Sequence, residues 1–422
     1  MKRNLFLTTT LALLVSLLIA LPAFAGDQVN LNVNGDSAAQ FDIFLKDGIS
    51  MVPVDAFARF SGADVEWTPG NTLKITENGV ILLMTVDKKD ALLKGEPVTL
   101  SCAPVKTGDK VYVPLRSVGE AFGYEVGWDN RQRLVTLNRN ETRDGMTPEE
   151  LLVKANRVAM DINTYSMEGN MNMNISVVAD GKQVGDAPGN LNIELTGHYQ
   201  NQPMRMYMKQ NIIPAVKNQV PEMVVETYMT EEKMYMKAPG QEWVVQDMPF
   251  APEFWKQQRD IQSDPLKAAA QMKEMGMLLN FGNDVSIDGR EYYVINSTLD
   301  MNKFRQGFQK LMQQAIQSMP PSAGTGDPAL VQQQLQKLLE NSKVDYYYTV
   351  YVNKKTMITD VVKFNALMEL TMNPSELGSP GDAENKTGIP KEVKTKIAMK
   401  GEFKIGNLGS PFVAPDVSNA RP

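Results

Sequence analysis

Met204, Met206 and Met208 stand at alternate positions in the stretch MRMYMKQ, and that spacing admits three kinds of chemistry. Thioethers are soft ligands that suit copper(I). They also form flexible, polarisable walls that repack around apolar guests, and they fill ordinary cores. On a single strand, same-face neighbours lie about 6.6 Å apart, so chelation needs rotamers that converge. Neither His nor Cys stands near to help. The alternation recurs as Met167, Met171 and Met173 in YSMEGNMNMNISVV, and as Met234 and Met236 in KMYMKA. The chain holds 26 methionines, nearly all from residue 146 onward, so the choice extends over several strands. These eight methionines are the candidate lining of an apolar site.

Other chemistry is sparse. The one histidine, His198, stands in LTGHYQ, and no G-x-S-x-G elbow accompanies it. One His and one Cys cannot close a zinc site. The sequence has no phosphate-binding loop, dinucleotide fingerprint or H-E-x-x-H motif. A carboxylate-only hydrolase stays open, because paired Asp or Glu are invisible without a fold. The expectation is a non-enzyme with no cofactor and no bound metal. Cys102 alone permits no internal disulfide, so cores of normal size must hold the chain together. It reads as a small buried apolar residue.

The N-terminus opens MKRN, continues as an apolar run from Leu11 to Leu21 and ends LPAFAGDQ. Two basic residues, a short apolar segment and Ala23-Phe24-Ala25 read as a secretory signal over 1–25, cut before Gly26. The run is shorter than the roughly 20 residues a bilayer span needs. A secreted, envelope-associated protein without an integral span is expected. The formal charge of −6 falls to −8 without Lys2 and Arg3. That balance argues against nucleic acid and against simple adhesion to anionic polymers.

Behind the leader the chain repeats itself. In ISMVPVDAFARFSGADVEWTPGNTLKIT and KVYVPLRSVGEAFGYEVGWDNRQRLVTL, five residue pairs recur at an offset of 61: Pro53 and Pro114, Gly62 and Gly123, Val65 and Val126, Trp67 and Trp128, Leu73 and Leu134. In the second copy Val111 and Val113 alternate as a strand, and Pro114 suits the first turn of a helix because it lacks a backbone donor. Leu115, Val118 and Phe122 share one helical face. Gly123 follows where a left-handed cap belongs, and a hairpin closes the unit. The pattern VPLR…EAFGYEVGWD resembles the copper amine oxidase N-terminal-like, or stalk, domain of exported Gram-positive proteins. In the oxidases that domain lies away from the copper, so the resemblance implies a surface interaction or wall-associating module rather than oxidase activity. Arg116, Trp128 and Asp129 form its candidate interaction surface. Asp55 and Thr68 replace the arginine and the aspartate in the first copy. A helical pair of Arg116 with Glu120 is the plainer reading of that arginine.

NRNETRDGMTPEE is a charged boundary that ends in a helix start, with Thr147, Pro148 and Glu150 making a capping box. Leu151, Leu152, Ala155, Val158, Ala159 and Ile162 give that helix one broad apolar face. After Asn163 the period changes to two, and strand follows strand with turns at ADGKQVGDAPGN, TEE and APGQ. A helical block, PEFWKQQRDIQSDPLKAAAQMKEMGMLLNF, interrupts the strands. Later come an amphipathic helix through Phe304 and Phe308, a linker, a helix ALVQQQLQKLLE, and three final strands.

One helix, strands, inserted helices and more strands, opened by ANRVAMDINTYSMEG, resembles the outer-membrane lipoprotein-carrier and mycobacterial lipid-binding lipoprotein superfamily. The resemblance implies a curved sheet wrapped round helices over an apolar cavity. The expected fold is α+β: a small two-fold-repeat domain, then a large curved antiparallel sheet, or half-barrel, packed on helices. The segments are a signal at 1–25, the repeat domain at 26–140, a linker at 141–149, the methionine-rich sheet domain at 150–408 and a tail at 409–422. The expected partners are a lipid or apolar small molecule and a wall or envelope component. A purely structural envelope protein is the alternative.

Overall fold

A computed structural model describes residues 29–38, 41–184, 189–215, 222–247, 256, 260–261, 264–300, 302–307, 309–310, 342–372 and 390–421. The leader, most of the segment from Pro249 to Ser263, the helix expected at 329–340 and most of the loop expected at 373–391 lie outside them. Among the described residues the structure is mostly β-sheet with few helices.

The two sequence repeats fold as the same strand, helix and hairpin. Ile49–Pro53 leads into helix α1, Val54–Ser61, and Lys110–Pro114 into helix α2, Leu115–Ala121. Both prolines are helix N-caps with extended backbone, one residue earlier than the sequence suggests. Their missing donor costs nothing there. The two lead-in strands pair with each other, Pro53 opposite Tyr112 and Val52 opposite Val113. That ladder is the seam of the pseudo-twofold. Asn34-Gly35 and Lys94-Gly95 turn two further hairpins with positive φ at both residues, as two-residue hairpins require. Phe57, Leu73, Leu115, Val118 and Leu137 are fully buried within one shared core.

Among the described residues the second part is built on one sheet of 13 strands. Its spatial order runs Val244–Asp247, Lys233–Lys237, Met223–Thr230, Arg205–Pro214, Gly189–Gln200, Thr164–Ala179, Val393–Gly406, Thr359–Met372, Ser342–Asn353, Arg290–Leu299 and Met277–Phe281. Every pairing of neighbouring strands in this order is antiparallel, and the sheet curls into a half-barrel. The middle strand, Thr164–Ala179, pairs along most of its length with both Gly189–Gln200 and Val393–Gly406. Helix α3, Pro148–Met160, opens on the expected capping box between Thr147 and Glu150. It lays Leu151, Leu152 and Ala155 against Phe281, Tyr293, Ile295, Val350 and Val352 at one end of the sheet.

Two sequence expectations change. Met277–Phe281 is a strand, not the end of a helix. Helix α4, Pro265–Glu274, stops before Gly276, whose φ is 72°, and the released chain pairs with Arg290–Leu299. The final residues are held in place as well. Phe412 stacks 6.3 Å from Tyr228, and Arg421 bridges in parallel to Val244 on the edge strand.

The repeat module docks on the sheet's opposite face, and Leu278 joins its core. Asn280 Nδ2 donates to the Arg59 carbonyl at 2.8 Å, and Asn283 Nδ2 to Asp64 at 2.6 Å. Arg59 pairs with Asp345. A chain of charges runs beside these contacts: Glu77 to Arg139, Arg139 to Glu141 at 2.7 Å, Glu141 to Arg143, Arg143 to Asp284 at 3.7 Å, and Asp284 to Lys354 at 2.7 Å. Burial pushes the Glu77 carboxyl up to about 7 despite Arg139, because one of its oxygens is buried with no partner.

Two consequences are measurable. Gly62 is the C-cap of α1 and Gly123 follows Phe122, the C-cap of α2; both have left-handed backbone, at φ 80° and 79°, but a Cβ on Gly62 would sit 2.0 Å from the Phe281 carbonyl while Gly123 faces open space. Gly62→Ala should cost about 3 kcal/mol or more in urea unfolding, against about 1–2 kcal/mol for Gly123→Ala. For Glu77, a raised folded-state pKa means that stability is fullest at low pH and falls as pH rises from about 4.5 to 7. Relative to wild type, Glu77→Gln should therefore gain on the order of 3 kcal/mol between pH 4.5 and 8. Melting curves across that range check the sign.

Candidate functional site

Residues opposite one another in an antiparallel ladder share a face, so the register decides where the candidate methionines go. One row runs Met234, Met229, Met206, Tyr199, Tyr165 across five strands. The next runs Val244, Met236, Thr227, Met208, Gly197, Met167, Ile405. Further rows carry Met223, Ile212, Ile193 and Met171, then Leu191, Met173, Met399 and Ala366. Seven of the eight candidates thus lie on one face. Met204 does not join the ladder: it sits in the turn before Arg205–Pro214.

The same face extends, row by row, to Phe281 and Ile295 beneath helix α3. Near the middle, Met171 and Met173 pack with Met368, Met399, Met275 and Phe304. Toward the other end the face is less covered. Met206, Met208, Met229 and Met236 are half-buried and join none of the buried clusters among the described residues.

Gly401 shows how the sheet curls here. A Cβ on it would lie 2.6 Å from the Phe364 ring and 2.8 Å from the Asn170 carbonyl. Only glycine lets the backbone come so close, and Phe364 and Phe403, stacked at 5.4 Å, fill the space a side chain would take. The titratable groups on these rows are tyrosines. Burial pushes Tyr165 upward, and Tyr199 and Tyr348 to about 12, so the face carries no charge near neutral pH. Tyr165 and Tyr199 stack at 5.0 Å.

The opposite face is polar. Glu168, Asn170, Asn172 and Asn174 alternate with the methionines and are exposed. Near this strand a cavity of about 310 Å³ is lined by Met173, Leu191 and Met399 on one side and by Asn172, Asn174 and Asn192 on the other. A second, of about 420 Å³, lies at the junction of the two parts, among Tyr124, Arg139, Lys273 and Phe281. Among the described residues no group of three His, Cys, Asp or Glu gathers as a metal site. His198 lies 6.5 Å from the Tyr207 ring and is exposed.

In the repeat module the three surface candidates separate. Arg116 Nη1 donates to the Val126 carbonyl at 2.9 Å and lies 3.4 Å from Glu120, so it pins its own hairpin. Asp129 accepts from the backbone of Arg131 and Gln132 at 2.8 and 3.0 Å, a turn-capping role. Trp128 is left facing solvent at 38 % exposure, and its repeat equivalent Trp67 is 55 % exposed. Sequence reasoning missed Trp67 as a surface candidate, although the offset of 61 pointed to it. It also missed Met223, Met229, Met368 and Met399, which the alternation in MVVETYMT and its neighbours could have supplied.

The copper amine oxidase N-terminal domain matches residues 32–137, and a family of unknown function, DUF6612, matches 147–398. No curated protein matches the chain. Similar solved structures include the Mycobacterium tuberculosis lipoprotein LppX, 8 % identical, covering 63 % of this chain and 97 % of its own, at a TM-score of 0.28. LprF from Mycobacterium bovis is 11 % identical, covering 64 % and 99 %, at a TM-score of 0.28. A putative outer membrane lipoprotein-sorting protein domain from Vibrio parahaemolyticus is 9 % identical, covering 64 % and 96 %, at 0.21. No helix among the described residues is long and apolar enough to cross a membrane. The match over 147–398 spans more than half of the sequence, and the protein belongs to the DUF6612 family, with a copper amine oxidase N-terminal domain preceding it.

Proposed function

We propose that this is an exported, non-catalytic envelope protein whose methionine face holds a lipid or another apolar ligand. The observation that carries the reading is the shared register: methionines from six strands stand on one uncharged face, and four at its less covered end are only half-buried. Half-buried thioethers suit a guest of variable shape, because Met has three rotatable bonds and a polarisable sulfur. The repeat module supplies the contact with an envelope partner, and the exposed indoles of Trp67 and Trp128 are its best-placed groups. A basic leader with a small-x-small ending supports export.

Copper(I) is a second reading with its own observation. Met206, Met229 and Met234 are direct cross-strand neighbours. Such residues have Cβ atoms about 4.5–5.5 Å apart, closer than neighbours along one strand. Three thioethers are an acceptable set for that soft ion.

Both readings are tested on one variant, Met206/Met208/Met229/Met236→Gln. Displacement of a fluorescent fatty acid should weaken at least about tenfold as the apolar contacts are lost, with the melting temperature retained. Absence of uptake by the wild-type protein, together with no lipid in native mass spectra of protein from its own cells, overturns the lipid reading. For copper, titration with a chromophoric Cu(I) chelator decides: affinity unchanged in the variant disposes of that ion.

A further inference from the structure

Arg305 stands on the helical stretch 302–307 that brings Phe304 onto the methionine cluster of Met171, Met173, Met368 and Met399. One side of that helix is accounted for. Lys303 Nζ reaches Asp36 at 2.9 Å, a Cβ on Gly307 would lie 2.9 Å from both the Glu274 carbonyl and Met275 sulfur, and Lys310 Nζ reaches Glu274 at 2.6 Å. These positions follow the i, i+4, i+7 spacing and define the flank against the end of α4. At about 100° per residue, Arg305 projects from the flank turned away from α4, next to the face that carries Phe304.

The guanidinium there is unusual. Its Nε and Nη2 are buried and have no hydrogen-bond partner among the described residues. Buried guanidinium donors left without hydrogen-bond partners carry a desolvation cost that an acceptor would relieve. Arg also presents a planar fork of donors that matches carboxylate and phosphate oxygens. The uncharged methionine face, by contrast, offers an anion nothing.

We propose that the guest of the methionine face is an amphiphile with an anionic head, carboxylate or phosphate, and that Arg305 is the counter-charge for that head. The inference rests on the apolar-ligand reading above and adds the head-group class. The apolar tail lies along the half-buried methionines, and the head pairs with the guanidinium, which thereby gains the partners it lacks.

Competition against a fluorescent fatty acid tests it on the full chain at pH 8, with oleate, oleoyl lysophosphatidate and neutral monoolein in wild type, Arg305→Gln and Arg305→Lys. In wild type the anionic probes should bind about 10- to 100-fold more tightly than monoolein, as a charge-assisted pair implies. Oleate ahead of lysophosphatidate marks a carboxylate site, and the reverse order a phosphate site. Arg305→Gln should abolish the anionic preference and leave monoolein affinity unchanged, which also shows that the variant is folded. Arg305→Lys should keep part of the preference. Equal affinity for neutral and anionic probes in wild type, or a preference that survives in Arg305→Gln, overturns the head-group assignment and leaves the apolar site standing. Failure of all three probes to bind overturns both.

Discussion

Register in the ladder around Thr164–Ala179 is the constraint on which the rest of the large sheet depends. Side chains along a strand alternate with a period of two, so a slip by one residue would send every methionine to the polar face and every asparagine to the apolar one. The middle strand fixes this twice over. It matches Met173 to Leu191 on one side and to Met399 on the other, and Met171 to Ile193 and Gly401. From there the pattern is handed outward to Met208, Thr227 and Met236, and inward to Val350, Ile295 and Phe281.

The two faces of the sheet then receive different partners. Helix α3 and the residues around Phe304 cover part of the apolar face. The repeat module takes the other face at the same end, where the Leu278 side chain projects from its strand into the module's core. Buried polar side chains mark that contact: Asn280 and Asn296 are bonded to each other, and Thr349 donates to Asn296. Satisfied networks of this kind specify geometry more than they add stability. The junction occupies one end of the sheet and leaves the opposite end of the methionine face to other uses.

Much of this was readable from residues, for identifiable reasons. The offset of 61 between repeats carries spatial information because each copy follows its own helix with its own hairpin, and the Thr147 capping box is a local motif with a local geometry. Alternation marked the strands and their apolar side. It could not show which strands were neighbours, so the cross-strand contacts of Met206 with Met229 and Met173 with Met399 were invisible. MLLNF was misread because a short apolar run fits helix and strand alike, and only pairing with Arg290–Leu299 settles it. Arg116 and Asp129 are exposed and also bond locally, Arg116 to the Val126 carbonyl of the hairpin and Asp129 to the turn that follows it, bonds that spacing does not encode. The unpartnered nitrogens of Arg305 left no trace in the sequence.

The pairing of Thr164–Ala179 with Val393–Gly406 also sets the order in which the molecule can assemble. More than two hundred residues separate the partners. Closing so long a loop carries an entropic cost before any contact repays it, which places such folds among the slow ones. A chain emerging from its N-terminus can complete the repeat module early, since all of that module's strands precede residue 140. The sheet has to wait until residue 406 is available. During that interval the methionine strands have no finished apolar side to occupy, and an unclosed, apolar, strand-rich intermediate is the form in which this protein is most prone to aggregate.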